Sequence, residues 1–165
     1  MMRKTVGIGI QDFVAIRQDE YFYVDKTAFI KEWWESKDWV TLINRPRRFG
    51  KTLNMNMLEC FFSIKYKERA DLFEGMDIWA EEKYRKLQGT YPVVFLSFAS
   101  VKARNLADAK TQIKMQIVDL YEEHRFLLSG DLLSDNEKEW FQKITGVPED
   151  VLSIKGKCTG NSVRI

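Results

Sequence analysis

Gly50, Lys51 and Thr52 stand in a row, and these are the residues of this chain best suited to chemistry on a phosphate. They form the second half of the pattern G-x-x-x-x-G-K-[ST]. In that pattern backbone N–H groups cradle a polyphosphate, the lysine reaches the β- and γ-phosphates, and the hydroxyl ligates Mg²⁺. The position of the first glycine is held by Arg45, and Pro46, Arg47, Arg48 and Phe49 complete the loop. Arg45, Arg47, Arg48 and Lys51 crowd into seven residues, which suits a small polyanion and equally a basic surface turn. A bare G-K-[ST] arises by chance roughly once in ten chains of this length. The assignment therefore depends on the elements around it.

Those elements read as strand, loop and helix. Residues Trp39 to Ile43 are apolar and β-favouring, and Pro46 keeps Arg45 out of the helical region, which prolongs the extended chain. From Thr52 onward Leu53, Met57, Leu58, Phe61 and Phe62 fall near one face of a helix. Its N-terminus would present unpaired N–H groups and the positive end of its macrodipole to an anion. Gly50 would allow close backbone approach, and Lys51 would add a full charge.

Further along, Tyr91-Pro92 opens a second apolar run, Val93 to Phe98, whose lack of alternation suits a parallel strand covered on both faces. Two strands separated by helical material predict a parallel α/β sheet. Asp12 is placed to cap a short helix through Ile16, and Asp25 or Thr27 to cap one holding Phe29, Ile30, Trp33 and Trp34. Residues Asn105 to Leu128 have helical spacing, with Leu106, Ala109, Ile113, Ile117 and Leu120 as the apolar stripe. Ser134 and Glu137 have the spacing of a capping box for a helix through Ile144 that Gly146 stops. Pro148 opens another short helix, and residues 155–165 read as a disordered tail after a single domain spanning residues 1–154.

The stretch Arg45-Pro46-Arg47-Arg48-Phe49-Gly50-Lys51-Thr52, with Tyr23-Val24-Asp25-Lys26-Thr27 upstream, resembles the bacterial AAA-ATPase-like family from about Val6 to about Leu152. Members of that family carry a P-loop ATPase domain, often followed by a PD-(D/E)-x-K nuclease-like domain. The resemblance implies that R-P-R-R-F-G-K-T is itself the phosphate loop, so that Arg45 is no departure, and that Tyr23 to Thr27 lie near the base and ribose. The implied fold is a partial P-loop NTPase three-layer α/β fold with a parallel sheet, truncated before the Walker B strand. That acid-bearing strand falls, in the family, beyond the point where this chain turns polar. A truncated or frame-altered product is thus expected, one that binds ATP and Mg²⁺ through a Walker A-like loop but does not hydrolyse ATP alone. Apolar sheet edges left exposed would favour self-association.

The totals narrow the partners. With 26 basic and 24 acidic residues, a net charge of +2 gives no global argument for nucleic acid. The alternative of a non-enzymatic polyanion or nucleic-acid module using Arg45 to Lys51 therefore rests on local charge. No apolar run nears the roughly 18 residues of a membrane span, no signal-peptide core is present, and the cytoplasm is the expected compartment. Cys60 and Cys158 are too far apart in sequence to suggest a disulfide framework or metal site, and His124 has no nucleophile motif beside it. Asp119 has the letters of an acid ending an apolar run but sits in a helical window.

Overall fold

Local capping chemistry sets the start of the first helix. In a computed structural model that describes residues 5–146, the Asp12 carboxylate accepts the N–H groups of Val14 and Ala15 and so begins α1 (Phe13–Gln18). Those are donors that a helix leaves without internal partners. The helix α2 (Ala28–Ser36) follows and stops where Lys37 turns left-handed, at φ 53°. Then comes α3 (Lys51–Phe62), one residue earlier than its apolar face suggested.

The chain divides into two units, Met1–Val93 and Val94–Ile165. The first holds an aromatic core. Phe13, Phe61, Phe73 and Tyr84 are fully buried together with Ile30, Met57 and Leu72. Phe73 stacks on Phe13 at 5.3 Å between ring centroids and meets Phe61 edge-on at 5.1 Å. Trp33 and Trp34 both close on Phe62, at 5.4 Å each, so these tryptophans extend the core. Such ring pairs add to the burial of apolar area that drives folding.

After α3 the chain winds through single 3₁₀ turns at Ile64–Tyr66, Ala70–Leu72 and Asp77–Ala80 into the short α4 (Glu82–Arg85). Short turns leave backbone groups unpaired, and long-range bonds satisfy them here. Arg17 donates through Nε to the Leu72 carbonyl at 2.7 Å, and a second guanidinium nitrogen donates to that of Glu74 at 2.9 Å. Gln88 donates to the Tyr66 carbonyl at 2.6 Å, and the Gly89 N–H to that of Phe61 at 2.8 Å. Gly89 has φ 66°, and a Cβ on it would lie 2.4 Å from Lys67 Cα, so the close crossing admits no side chain.

Asn56 and Glu59 reach deep into this core and are answered. Asn56 accepts the Phe13 N–H at 2.7 Å and donates to Glu59 at 3.1 Å, while Glu59 in turn faces Lys65 at 3.7 Å. Glu59 is only 4% exposed, so these partners offset a desolvation cost that an unpaired carboxylate could not meet. Beside it burial pushes the free Cys60 thiol well above its ordinary range.

In the second unit Asn105 caps α5 (Leu106–Glu123) by accepting the Asp108 N–H at 2.8 Å. A 3₁₀ segment, Arg125–Ser129, follows, and then α6 (Asp135–Thr145). At the start of α6 the Glu137 carboxylate accepts both the N–H and the hydroxyl of Ser134, and these bonds hold its carboxyl below the ordinary range. Tyr121 meets Phe141 at 4.9 Å, joining α5 to α6. Val118 and Phe141 are buried, whereas Leu106 and Ile117, which the sequence put in the apolar stripe, are exposed. Asp119 is a helix residue, as its window indicated. Pro148, Cys158 and the polar tail lie outside the described residues.

The three-layer α/β fold with a parallel sheet is not what forms. Among the described residues the helices account for the regular structure, and β pairing is limited to one isolated parallel bridge between Ser63 and Tyr91. Neither apolar run has a ladder partner. The reason lies in what such runs encode, since β-branched and aromatic residues favour an extended backbone without naming a neighbour. In the first run Trp39 is fully exposed, and Val40 and Leu42 are 86% and 85% exposed. In the second, exposure alternates, with Val94, Leu96 and Phe98 outward and Val93, Phe95 and Ser97 half-covered. That is the period of two along an extended chain with one covered face, not two. No helix among the described residues is long and apolar enough to cross a membrane.

Candidate functional site

The basic loop runs directly into α3. Arg45, Pro46, Arg47, Arg48 and Phe49 are exposed, and Gly50, Lys51 and Thr52 are half-buried. Two left-handed residues shape the turn, Arg48 at φ 69° and Gly50 at φ 73°. A positive φ is routine for Gly50 and costly for Arg48, so the loop holds Arg48 in a conformation that a free chain would avoid. Gly50 is the N-cap of α3, where its carbonyl accepts the Asn54 N–H at 2.9 Å. No side chain caps this helix. The amides of its first turn, with Lys51 and Thr52 as the first two helical residues, therefore keep the capacity to bind an anion.

Lys51 closes the loop from inside. Its ammonium donates to the carbonyl of Arg45 and, at 3.3 Å, to that of Pro46. Since an ammonium has three donors, these bonds anchor the lysine at the loop without using all of its capacity. No carboxylate of a described residue forms an ion pair with Arg45, Arg47, Arg48 or Lys51. The charge is concentrated, and no carboxylate of a described residue offsets it by pairing. Such a cluster repels itself and attracts anions.

The upstream segment comes back to the same place. Tyr23 donates its hydroxyl to the Met57 sulfur at 3.3 Å, which fastens this segment to α3. Burial, helped by the Asp25 charge, pushes the phenol up to about 12, so Tyr23 stays a neutral donor. Asp25 accepts the N–H groups of Thr27 and Asp77, each at 2.8 Å. Burial alone would raise the Asp25 carboxyl, but these bonds outweigh it and hold it below the ordinary range. Thr27 is fully buried and accepts the Ile78 N–H at 3.1 Å. Between these two anchored residues Lys26 is exposed, and its Nζ lies 4.0 Å from where a Cβ on Gly50 would stand.

The residues singled out by the motif are thus contiguous at one helix start, and Lys26 is the residue that motif reading passed over. What sequence spacing cannot give is which end of a nucleotide a flexible lysine would meet. As for a metal, Thr52 offers a hydroxyl, but no group of three or more His, Cys, Asp or Glu side chains suited to a metal ion occurs among the described residues. Mg²⁺ is commonly held through substrate phosphates with one or two protein oxygens, and the loop fits that mode only with Thr52 as its protein ligand. His124 ends α5, with Nδ1 2.9 Å from the Leu120 carbonyl, a helix-end role without catalytic neighbours among the described residues.

Comparison with known proteins places the chain in a family. A family model described as Predicted AAA-ATPase, the AAA-ATPase-like family, matches residues 7–151, and the chain belongs to that family. An uncharacterized protein of the vnfD 5′ region from Azotobacter chroococcum mcd 1 is 35% identical over 114 residues, which make up 68% of this chain and 20% of that protein. The chain spans about a fifth of the length of this curated relative. No solved structure matches significantly.

Proposed function

We propose that residues 45–52 bind the phosphate chain of ATP, with Gly50 and the first amides of α3 against the phosphates and Lys51 as counter-charge. Thr52 would hold Mg²⁺ jointly with the nucleotide, and Arg47 and Arg48 would flank it. The observation that carries this reading is an uncapped helix start joined to a loop of cations with no carboxylate partner among the described residues. Membership of the AAA-ATPase-like family supports the same ligand class. Turnover requires more than a cradle, because Mg²⁺ is normally also held by an acidic strand-end residue and the attacking water must be oriented. Among the described residues no carboxylate pairs with the loop, so binding, rather than hydrolysis, is the activity proposed for these residues.

A melting-temperature titration of the full chain tests it. Mg-ATP should raise the melting temperature by mass action, and Lys51→Ala should remove that rise. An equal shift in both proteins would end the proposal. A shift produced instead by DNA or RNA, steeply weakened by salt and indifferent to Mg²⁺, would favour the polyanion module.

A further inference from the structure

We infer that Lys26 is a second phosphate-contacting residue of this site, delivered from the segment before α2 to a phosphate held over Gly50. We infer too that it favours nucleoside triphosphates over monophosphates. The inference rests on the reading of residues 45–52 as a nucleotide loop, and it goes beyond the motif because Lys26 lies outside it.

Three observations converge on Lys26. First, its flanking residues are committed to structure: Asp25 holds two backbone N–H groups and the Thr27 side chain is buried against Ile78. Their fixed positions limit where the lysine can go. Second, its ammonium lies beside Gly50, 4.0 Å from where a Cβ on that residue would stand, at a backbone φ of 73° that favours glycine. An oxygen of a phosphate held over the Gly50 backbone would stand within reach of that ammonium. Third, no described carboxylate pairs with Lys26, although it stands beside a loop that already carries three arginines and Lys51. Bringing one more cation to such a place raises the energy of the protein by itself. An anion between the cations reverses the sign of that term, and it does so more strongly the greater the ligand's charge. A triphosphate therefore gains more from Lys26 than a monophosphate does. Lysine suits this role because its ammonium is a mobile point charge that finds a phosphate oxygen without demanding a fixed fork geometry.

The test is displacement of a fluorescent ATP analogue from the full chain by ATP, ADP and AMP in the presence of Mg²⁺. It compares the wild type with Lys26→Gln, Lys26→Arg and Lys51→Ala, each also melted without nucleotide. Lys26→Gln should weaken ATP roughly tenfold, the loss of about one charge-assisted hydrogen bond, and should narrow the ratio of ATP to AMP affinity. Lys26→Arg should restore most of the loss, and the ligand-free melting temperature of Lys26→Gln should not fall, since neutralising Lys26 relieves repulsion in the empty site. Unchanged ATP affinity in Lys26→Gln, with binding lost in Lys51→Ala, would overturn the role of Lys26 and leave the loop reading intact. A lowered ligand-free melting temperature with equal weakening of all three nucleotides would also overturn it, in favour of a structural role. No analogue binding by the wild type would remove both.

Discussion

At its C-terminal end α3 sets Met57, Cys60, Phe61 and Phe62 into the aromatic core, whereas its N-terminus emerges from a loop of exposed cations with Phe49 among them. The core end is held by apolar burial and ring packing. The loop end is held by backbone geometry at Arg48 and Gly50 and by Lys51 bonding to the carbonyls behind it. One helix thus gives a weakly anchored loop a rigid base. The contrast teaches that stability and anion binding draw on different residues of the same element, and each can be changed without the other.

The largest expected effect comes from the core end. Phe61→Ala, at a fully buried ring in contact with Phe62 and Phe73, should cost about 3–5 kcal/mol in denaturant unfolding, while the folded fraction keeps its affinity for Mg-ATP. A loss of affinity at unchanged stability would erase the distinction between the two ends.

A smaller effect sharpens it. Asp25→Asn should cost about 1–2 kcal/mol at neutral pH, because the second backbone N–H loses its acceptor. The sign of its pH dependence follows from the lowered carboxyl. A depressed folded-state value stabilises the protein above the ordinary carboxylate pKa of about 4, and the benefit is lost as pH falls through the folded value. The stabilities of wild type and Asp25→Asn should therefore converge as pH drops below about 4. A constant gap across that window would mean that Asp25 acts by packing.

The smallest effect concerns an aromatic placed where Phe61 is not. Trp39→Ser should change unfolding free energy by less than about 0.5 kcal/mol, since Trp39 is fully exposed. It should nonetheless reduce self-association in sedimentation at micromolar concentration, because Trp39, Val40 and Leu42 expose adjacent apolar surface. Wild-type chain that sediments as a monomer would remove the reason for that second expectation.

How much of this was legible follows from the range of each interaction. Asp12 and the Ser134–Glu137 pair identify helix starts because their bonds reach two or three residues, and both act at the expected places, whereas Thr27 stands at the N-cap of α2 without a side-chain cap bond. The helix after Gly50 was readable for the same reason, as it combines a turn residue with an apolar face. Strand pairing was not, because Trp39 to Ile43 and Val93 to Phe98 carry a preference for extended backbone and no information about a partner. The stripe of α5 misled in a related way. Spacing marks which residues share a face, and Leu106 and Ile117 show that nothing in it says how completely the face is covered. At the site, Gly50, Lys51 and Thr52 were legible as a motif. Lys26 was not, since its approach to Gly50 depends on Asp25 and Thr27 being fastened to residues some fifty positions away.

The central claim is that an uncapped helix start and its cationic loop hold a nucleotide by its phosphates. Equilibrium dialysis of the full chain against labelled ATP with Mg²⁺ measures this most directly, run beside Lys51→Ala. The account predicts saturable binding of one ATP per chain that unlabelled inorganic triphosphate displaces, and its loss in the variant. Retention of full binding by Lys51→Ala, or no binding by the wild type at millimolar ATP, would contradict it.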